Sequence, residues 1–396
     1  MEPLEQTKNT YSAKTTLSLL TYMMVHFGVD FACFYYLMGT FSLYKYIGMG
    51  PTEGFLLYNT LAFGLQLLIG RFFEHRSYRI AGLIGVLLVM TGLGINLALP
   101  MICKDSLVLE YQIICGIPFA YWKIIILVIM AVGNAFFHVA GGIDSLYYGN
   151  GKSKRCGLFV APGALGVSMG AYTGENLIMD EVPILCGLLL GFVLIFTYGD
   201  GGQEPAEKNK FQSYKESVNK IGASNRLPAV LPCICFVAII LRSYIGPFQK
   251  VSLTVLFLTA LCTVFGKVMG GVLADGFGDK AVGGISLIIS AICFTGIWSH
   301  PLPTIIGIVS FNMAMPITLY GLYQYFPENP GTVFGLNSFA LLIGYGLYSG
   351  GIWLGTYTVV AGSILAAVFI VISVPRRKKE KTKRITARGE LNGANT

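Results

Sequence analysis

Twelve long apolar stretches separated by short polar turns account for most of this chain. Each is close to the roughly 20 residues that an α-helix needs to cross about 30 Å of hydrocarbon. Only helices and closed barrels satisfy their backbone groups in lipid, and these stretches are too long for barrel strands. The pattern therefore predicts an all-helical membrane protein with spans near 15–43, 52–70, 79–100, 119–141, 157–174, 182–199, 227–247, 251–274, 281–299, 302–324, 331–352 and 355–374.

A single long polar stretch, from Asp200 to Leu227, divides the predicted spans into six and six. This layout is typical of membrane transporters that are built from duplicated bundles. We therefore expect four regions: an N-terminal six-helix half at 1–199, a cytoplasmic linker at 200–227, a C-terminal six-helix half at 228–374 and a basic cytoplasmic tail at 375–396.

The distribution of positive charge predicts the orientation in the membrane. With the N-terminus in the cytoplasm, 22 of the 28 Lys and Arg residues fall on cytoplasmic segments, and outer segments hold only Lys45, Lys104, Lys123 and Lys250. Such an excess is typical of cytoplasmic loops. We expect a multi-pass protein of the cell membrane with both termini inside, whose basic tail contacts lipid headgroups rather than nucleic acid.

The nine cysteines lack the spacing of a metal cluster. Cys103 and Cys115 share one predicted outer loop, where either a disulfide or two free thiols fits the sequence.

A few ionisable residues interrupt the apolar spans, although a charge at mid-bilayer costs roughly 2.5–3.5 kcal/mol. His26 and Asp30 are four residues apart, so they share a helix face. A histidine and a carboxylate at this spacing can hold a proton, because each biases the charge of the other. Asn134 and His138 repeat the spacing in span four.

Two basic residues also lie within spans, Arg242 near the centre of span seven and Lys267 deep in span eight. They are candidate ligands of an anionic group, and His138, Asn134 and Tyr320 are candidate lining residues. Structural explanations stay open: a carboxylate can hydrogen-bond a neighbouring helix, histidines can pack neutral, Lys267 can pair with an acid, and tyrosines in spans mostly pack.

A repeated loop pattern supports the division into halves. Gly271, Asp275 and Lys280 follow the order G-x-x-x-D-x-x-G-x-K at the cytoplasmic end of span eight, and Gly70 and Glu74 keep the glycine and the acid after span two. The pattern resembles the loop signature of the major facilitator superfamily, although Glu replaces Asp in the first copy. The acid can accept bonds from a neighbouring helix N-terminus and so latch the cytoplasmic side shut.

Further short motifs resemble the fosmidomycin-resistance branch of that superfamily; they lie at 26–30, 133–138, 315–319, 326–327 and 330–336. The resemblance implies two pseudo-symmetric six-helix halves in the major facilitator fold. It also implies a monomer that exports small drugs or metabolites against a proton gradient.

The sequence gives no convincing enzyme constellation. Glycine loops of the ATP-binding type are absent. His26, Asp30 and His138 include the residue types of a metal-dependent hydrolase, but no glutamate that would activate water stands near them. We expect no cofactor and no metal.

These observations predict a proton-coupled secondary transporter that works by alternating access. Asp30, tuned by His26, would bind the proton, while Arg242 and Lys267 would attract a small organic substrate, anionic or drug-like. Export is the leading prediction and proton-coupled uptake of an organic anion is the alternative. A receptor or scaffold without transport is the rival from another class.

Overall fold

The computed structural model describes residues 2–43, 49–102, 113–114, 116–149, 152–201, 227–246, 253–295, 301–351 and 356–375. Twelve α-helices lie within these residues. They are α1 Glu2–Leu43, α2 Pro51–Phe73, α3 Tyr78–Ile102, α4 Phe119–Tyr147, α5 Lys154–Glu175, α6 Glu181–Tyr198, α7 Leu227–Ile245, α8 Leu253–Phe277, α9 Asp279–Cys293, α10 Pro301–Tyr323, α11 Pro330–Ser349 and α12 Thr356–Ser373.

Each helix overlaps one of the predicted spans. Nine of these helices are long and apolar enough to cross a membrane, and Val230–Ile245 and Tyr357–Ser373 are shorter apolar helices. The protein is therefore a multi-pass membrane protein. The largest difference from prediction is the start of α1 at Glu2, where the helix extends through polar residues beyond the apolar span.

Several predictions concern residues outside the described ranges: nearly all of the linker and the basic tail, and the cysteine pair Cys103 and Cys115. A short hairpin just before α4 was not predicted. Its strands, β1 Ile113–Ile114 and β2 Ile117–Pro118, pair antiparallel with Ile114 opposite Ile117.

The closest helix pair in the first half is α1 with α5, because glycines on α5 bring the two backbones together. A Cβ added at Gly170 would lie 2.8 Å from Cα of Phe31, and one added at Gly174 would lie 2.9 Å from Cα of Tyr35. Real Cβ atoms do not approach so closely, so these positions require glycine while α1 keeps its path. Small residues give membrane helices this close contact.

The two most extensive contacts between the first six helices and the last six are α2 with α11 and α5 with α8, and α4 with α11 and α5 with α10 add smaller ones. Moving each helix six places along the chain exchanges these two pairs, which is the relation expected of duplicated halves. In α2–α11, the Ser338 hydroxyl donates to the Gln66 side-chain oxygen at 2.5 Å. The α5–α8 contact includes Gly157, where an added Cβ would lie 2.5 Å from the Lys267 carbonyl oxygen.

We call the end of the bundle that holds the α2–α3 and α4–α5 turns the inner side, after the charge-based orientation. Asp144 is fully buried there and accepts from Ser18 at 2.6 Å, from Tyr78 at 3.2 Å and from Arg155 at 2.9 Å. The Arg155 guanidinium also donates to the Thr15 carbonyl at 3.0 Å. One carboxylate thus ties α1, α3, α4 and α5 together.

At the opposite end, Lys123 differs from expectation. It was assigned to an outer segment, yet only 3% of it is exposed, and its ammonium donates to the Asn96 side-chain oxygen at 2.6 Å. Asn96 in turn donates to Glu181 at 2.8 Å. These partners allow the lysine to be buried against α3, which the sequence pattern does not reveal.

We expect Asp144→Ala to lower the free energy of unfolding by about 3–5 kcal/mol, because it leaves the Arg155 guanidinium buried without its counter-ion. Thermal and denaturant unfolding of the purified protein in detergent micelles measures this. The matched control is Asp200→Ala, which removes a half-exposed partner 3.8 Å from Arg79 and should cost less than about 1 kcal/mol. Equal losses in the two variants would contradict the importance of the buried network.

Candidate functional site

Four polar side chains from α1 and α4 meet in the interior of the first half. Asp30 Oδ2 lies 3.2 Å from His26 Nε2, and Asp30 Oδ1 lies 3.7 Å from His138 Nε2. The Asn134 amide donates to Asp30 Oδ1 at 2.8 Å. The two imidazole centres are 4.5 Å apart with their rings edge to face. We call His26, Asp30 and His138 the His–Asp–His cluster.

The backbone of α5 completes the surroundings of this cluster. His26 Nδ1 lies 2.6 Å from the Phe159 carbonyl oxygen, and the two rings are 4.7 Å apart. Gly163 faces the cluster directly, since a Cβ added there would lie 2.5 Å from Asp30 Oδ2 and closer still to His26 Nε2. Side-chain exposure is 5% for His26, 9% for Asp30 and 12% for His138.

The structure places Lys267 opposite the cluster, on α8 of the second half. Its ammonium donates to the Val160 carbonyl of α5 at 3.0 Å, so it bonds directly to the first half. Lys267 lies within electrostatic range of Asp30 and His138. Arg242 interacts electrostatically with Lys267 in turn. The sequence therefore singled out a group of charges that the fold brings together from both halves.

The position of Arg242 corrects the sequence analysis. It lies in the last turn of α7 rather than near the centre of a span, because the helix ends at Ile245, before Gly246. Only 4% of the residue is exposed, its guanidinium carbon is 6.0 Å from the Phe311 ring centre, and its Nε has no hydrogen-bond partner among the described residues.

The structure places two further predicted lining residues. The Asn134 amide bonds Asp30 within the first half. Tyr320 is buried one turn from the inner end of α10, with its ring 5.9 Å from that of Tyr323. Neither position could be inferred from the apolar pattern, since both depend on how the helices are rotated against each other.

The first loop motif reaches across to the second half. Glu74 follows α2 and accepts from the backbone N–H groups of Gly331 at 3.0 Å and Thr332 at 2.8 Å, and from the Thr332 hydroxyl at 2.6 Å. Gly331 and Thr332 are in the first turn of α11, where the helix dipole favours a negative charge. Gly70 packs directly against Gly331.

The second motif makes the reciprocal contact. Asp275 near the end of α8 accepts from the backbone N–H of Ser153, just before α5, at 2.8 Å. Asp279 accepts from the Ser153 hydroxyl at 2.7 Å, and Gly271 allows the approach, since an added Cβ would lie 2.9 Å from Cα of Lys154. In each half, an acid at the end of one helix accepts hydrogen bonds from the N-terminus of a helix in the other half.

Comparison with solved structures identifies the architecture. The Escherichia coli fucose:proton symporter FucP superimposes with a TM-score of 0.60 at 12% identity, covering 91% of this chain and 97% of that one. For the proton:xylose symporter XylE the TM-score is 0.60 at 14% identity, with 93% and 97% covered. For the human organic anion transporter MFSD10 (TETRAN) it is 0.57 at 15% identity, with 90% and 98% covered.

The chain has the major facilitator fold. No protein-family model matches the sequence, and a search of curated proteins finds no match. The resemblance to the fosmidomycin-resistance branch therefore stays a prediction, whereas the twelve-helix architecture is confirmed.

Within this major facilitator fold, the His–Asp–His cluster has the dimensions of a cation site. The nearest ligand atoms of its three residues lie within 4.8 Å of one another. The sequence could not fix this distance between α1 and α4. Lys267 opposes a divalent ion more strongly than a single proton, because the repulsion grows with the charge that is added. We therefore interpret the cluster as a proton site.

Sequence reasoning missed the contribution of α5. The carbonyl groups of Phe159 and Val160 are consecutive, and they accept from His26 in one half and from Lys267 in the other. Pro162 lies one turn on, and a proline inside a helix removes one N–H donor and disturbs the preceding turn. A proline next to Gly163 in an apolar span was the signal that could have drawn attention to this turn.

We expect Gly163→Ala to disrupt the cluster, because the added methyl group would occupy the space of His26 Nε2 and Asp30 Oδ2. Overpacking of this kind costs about 1–3 kcal/mol, measured as a lower unfolding midpoint in micelles. Gly187→Ala on α6 is the control, since an added Cβ there meets nothing within 4 Å. An unchanged midpoint for Gly163→Ala would contradict the packing described.

Proposed function

We propose that this chain is a proton-coupled secondary transporter that moves a small organic anion by alternating access. The observation that carries the proposal is the buried His–Asp–His cluster of the first half, with Lys267 of the second half bonded beside it to α5. Ionisable groups inside a membrane are costly, and they mark ion and substrate pathways by default. In this chain the ionisable cluster of the first half lies within electrostatic range of Lys267 from the second half.

The charge balance supports an anionic substrate. The groups named at the site are two basic side chains, Lys267 and Arg242, and one carboxylate, Asp30. Arg242 is almost fully buried and its Nε has no partner among the residues that the structure describes, although a buried charge is normally paired. A carboxylate or phosphonate group of the substrate would supply the missing counter-charge, and a guanidinium binds such groups in a bidentate manner.

The two inner latches support alternating access. Glu74 binds backbone N–H groups in the first turn of α11, and Asp275 of α8 binds the backbone N–H of Ser153 just before α5. We infer that these contacts hold the inner side closed. Each latch consists of a few hydrogen bonds at a helix end, with glycines at the closest backbone contacts. Such contacts can separate without exposing a large apolar core, which is what a rocking motion between halves requires.

Electrostatics favour uptake over the export predicted from the sequence. A proton added to the cluster faces the positive charge of Lys267, and an anion bound at Lys267 and Arg242 offsets that repulsion. The proton and the anion therefore stabilise the same loaded state, which is the condition for symport. Exchange would need the two ligands to exclude each other.

A flux assay in proteoliposomes separates the alternatives. Uptake of an anion from a panel of small carboxylates and phosphonates, driven by an acidic exterior, supports symport. Efflux driven by the same gradient would favour the exchange predicted from the sequence. Absence of gradient-driven flux across the whole panel would favour a receptor or scaffold.

We expect Asp30→Asn to reduce proton-driven flux to the level of protein-free vesicles, because the amide removes the acidic group that attracts an exchangeable proton to the cluster. Insertion should be unaffected, since an amide keeps the hydrogen-bonding geometry with Asn134. The measurements are flux with and without a pH gradient, and the monodisperse yield. Full gradient-driven flux in this variant would rule out Asp30 as part of the proton site.

We expect Arg242→Gln to weaken binding of anionic substrates by about 10- to 100-fold, which corresponds to the loss of a charge-assisted hydrogen bond worth roughly 1.5–3 kcal/mol. Neutral analogues of the same size should lose little. Concentration dependence of flux for an acid and its amide gives both numbers. An equal loss for the two compounds would indicate that Arg242 serves structure rather than recognition.

A further inference from the structure

Backbone carbonyls fix the protonation pattern of both histidines in the His–Asp–His cluster. His26 Nδ1 lies 2.6 Å from the Phe159 carbonyl oxygen, and His138 Nδ1 lies 3.0 Å from the Asn134 carbonyl oxygen. A carbonyl oxygen only accepts, so each Nδ1 carries a hydrogen. In a neutral imidazole the other nitrogen, Nε2, is then a lone-pair acceptor.

Both Nε2 atoms point at the carboxylate of Asp30, which is itself an acceptor when ionised. At Oδ1 the Asn134 amide supplies a donor at 2.8 Å. At Oδ2 the neighbour is His26 Nε2 at 3.2 Å, and the described residues bring no donor to this pair. Two lone pairs at that distance repel each other, and the cost is large in a buried site.

One proton between Asp30 and His26 removes this conflict. It can sit on the carboxyl group and donate to Nε2, or on the imidazole and donate to the carboxylate. Both side chains are shielded from water, with exposures of 5% for His26 and 9% for Asp30, and the backbone of α5 packs against them at Gly163. The loss of this proton would leave two buried acceptors without a donor, so it is expected to stay.

His138 Nε2 is in a different position. Its distance of 3.7 Å from Asp30 Oδ1 exceeds hydrogen-bond length, and Oδ1 already has a donor. The His138 side chain is the most exposed of the three at 12%. A proton from water can bind its lone pair, and the resulting imidazolium gains attraction to Asp30.

Other titratable groups face the cluster from the elements around it. Cys33 on α1 and Tyr58 on α2 lie on the Asp30 side. Lys267 on α8 is on the His138 side, and Arg242 on α7 acts on Lys267. A positive charge on Lys267 opposes the addition of a proton to His138, so these two groups are coupled.

We propose that the His–Asp–His cluster keeps one resident proton, shared between Asp30 and His26, and that the exchangeable proton binds His138 Nε2. The role of His138 in a transport cycle rests on the proposed function, whereas the arrangement of protons in the cluster does not. The reaction is a simple transfer: hydronium gives its proton to His138 Nε2 and leaves as water, and the reverse step returns it on the other side.

Nitrogen-15 NMR of the histidine-labelled full-length protein in lipid nanodiscs tests the arrangement directly. The sequence has four histidines, so His→Gln variants assign the signals, and His75 in the exposed α2–α3 turn serves as a solvent reference. At alkaline pH we expect Nδ1–H on both His26 and His138. On acidification only His138, of these two, should become imidazolium, while His26 keeps its signal.

A matched pair of variants separates the roles. His138→Gln should abolish the pH-dependent change at the cluster. His26→Gln should retain it, because the glutamine amide donates to Asp30 Oδ2 in place of the resident proton. A neutral Nε2–H form on either ring, or a His26 signal that titrates while His138 stays constant, would overturn the proposal.

The flux assay and the NMR experiment test different claims, so either can fail without the other. Absence of transport with the expected histidine signals would reject the proposed function and leave the proton arrangement standing. Gradient-driven transport together with a His26 signal that titrates would support the proposed function and reject the proton arrangement.

Discussion

An acidic side chain inside a membrane protein needs polar partners, and the interior of the first half is organised around supplying them to Asp30. Asn134 and His138 come from α4 and His26 comes from the preceding turn of α1. The Phe159 carbonyl of α5 orients His26 through its other nitrogen. Helices α1, α4 and α5 must therefore hold fixed rotations about their axes, because a change in any one of them would leave a buried polar atom unpaired.

Among the described residues, the charged groups that connect the first half to the second bind backbone groups and hydroxyls. Lys267 binds a carbonyl of α5, and Glu74 and Asp275 bind N–H groups at helix ends. A charge that faces a backbone dipole is stabilised less than one that faces an opposite charge at the same distance, so these contacts are weaker than a buried salt bridge. The strong buried ion pair of the first half, Asp144 with Arg155, joins helices within that half. A rocking motion between two halves requires strong contacts within each half and weaker contacts between them.

The sequence predicted the architecture well because a helix that crosses a bilayer must be apolar over most of its length. Apolar length located each of the twelve helices within the described residues. The spacing of His26 and Asp30 placed them on one face, as any i, i+4 pair on a helix must be. The helix period carries no information about which face of α4 turns toward α1, so the bond from Asn134 to Asp30 could not be derived. Arg242 was misplaced for a related reason: apolar content locates a span, while helix ends depend on local signals such as the glycine and proline that follow Ile245.

The glycine contacts between α1 and α5 have a consequence for how protons would be released. Because the two backbones touch at Gly170 and Gly174, no side chain separates α1 from α5 there. If the halves rock as proposed, we expect these two helices to move together and the geometry around Asp30 to be kept. The proton affinity would then differ between the two conformations through what approaches from outside the first half, namely water and the ammonium of Lys267. Release would be governed by a changing electric field at a rigid site, with no deformation of the site itself.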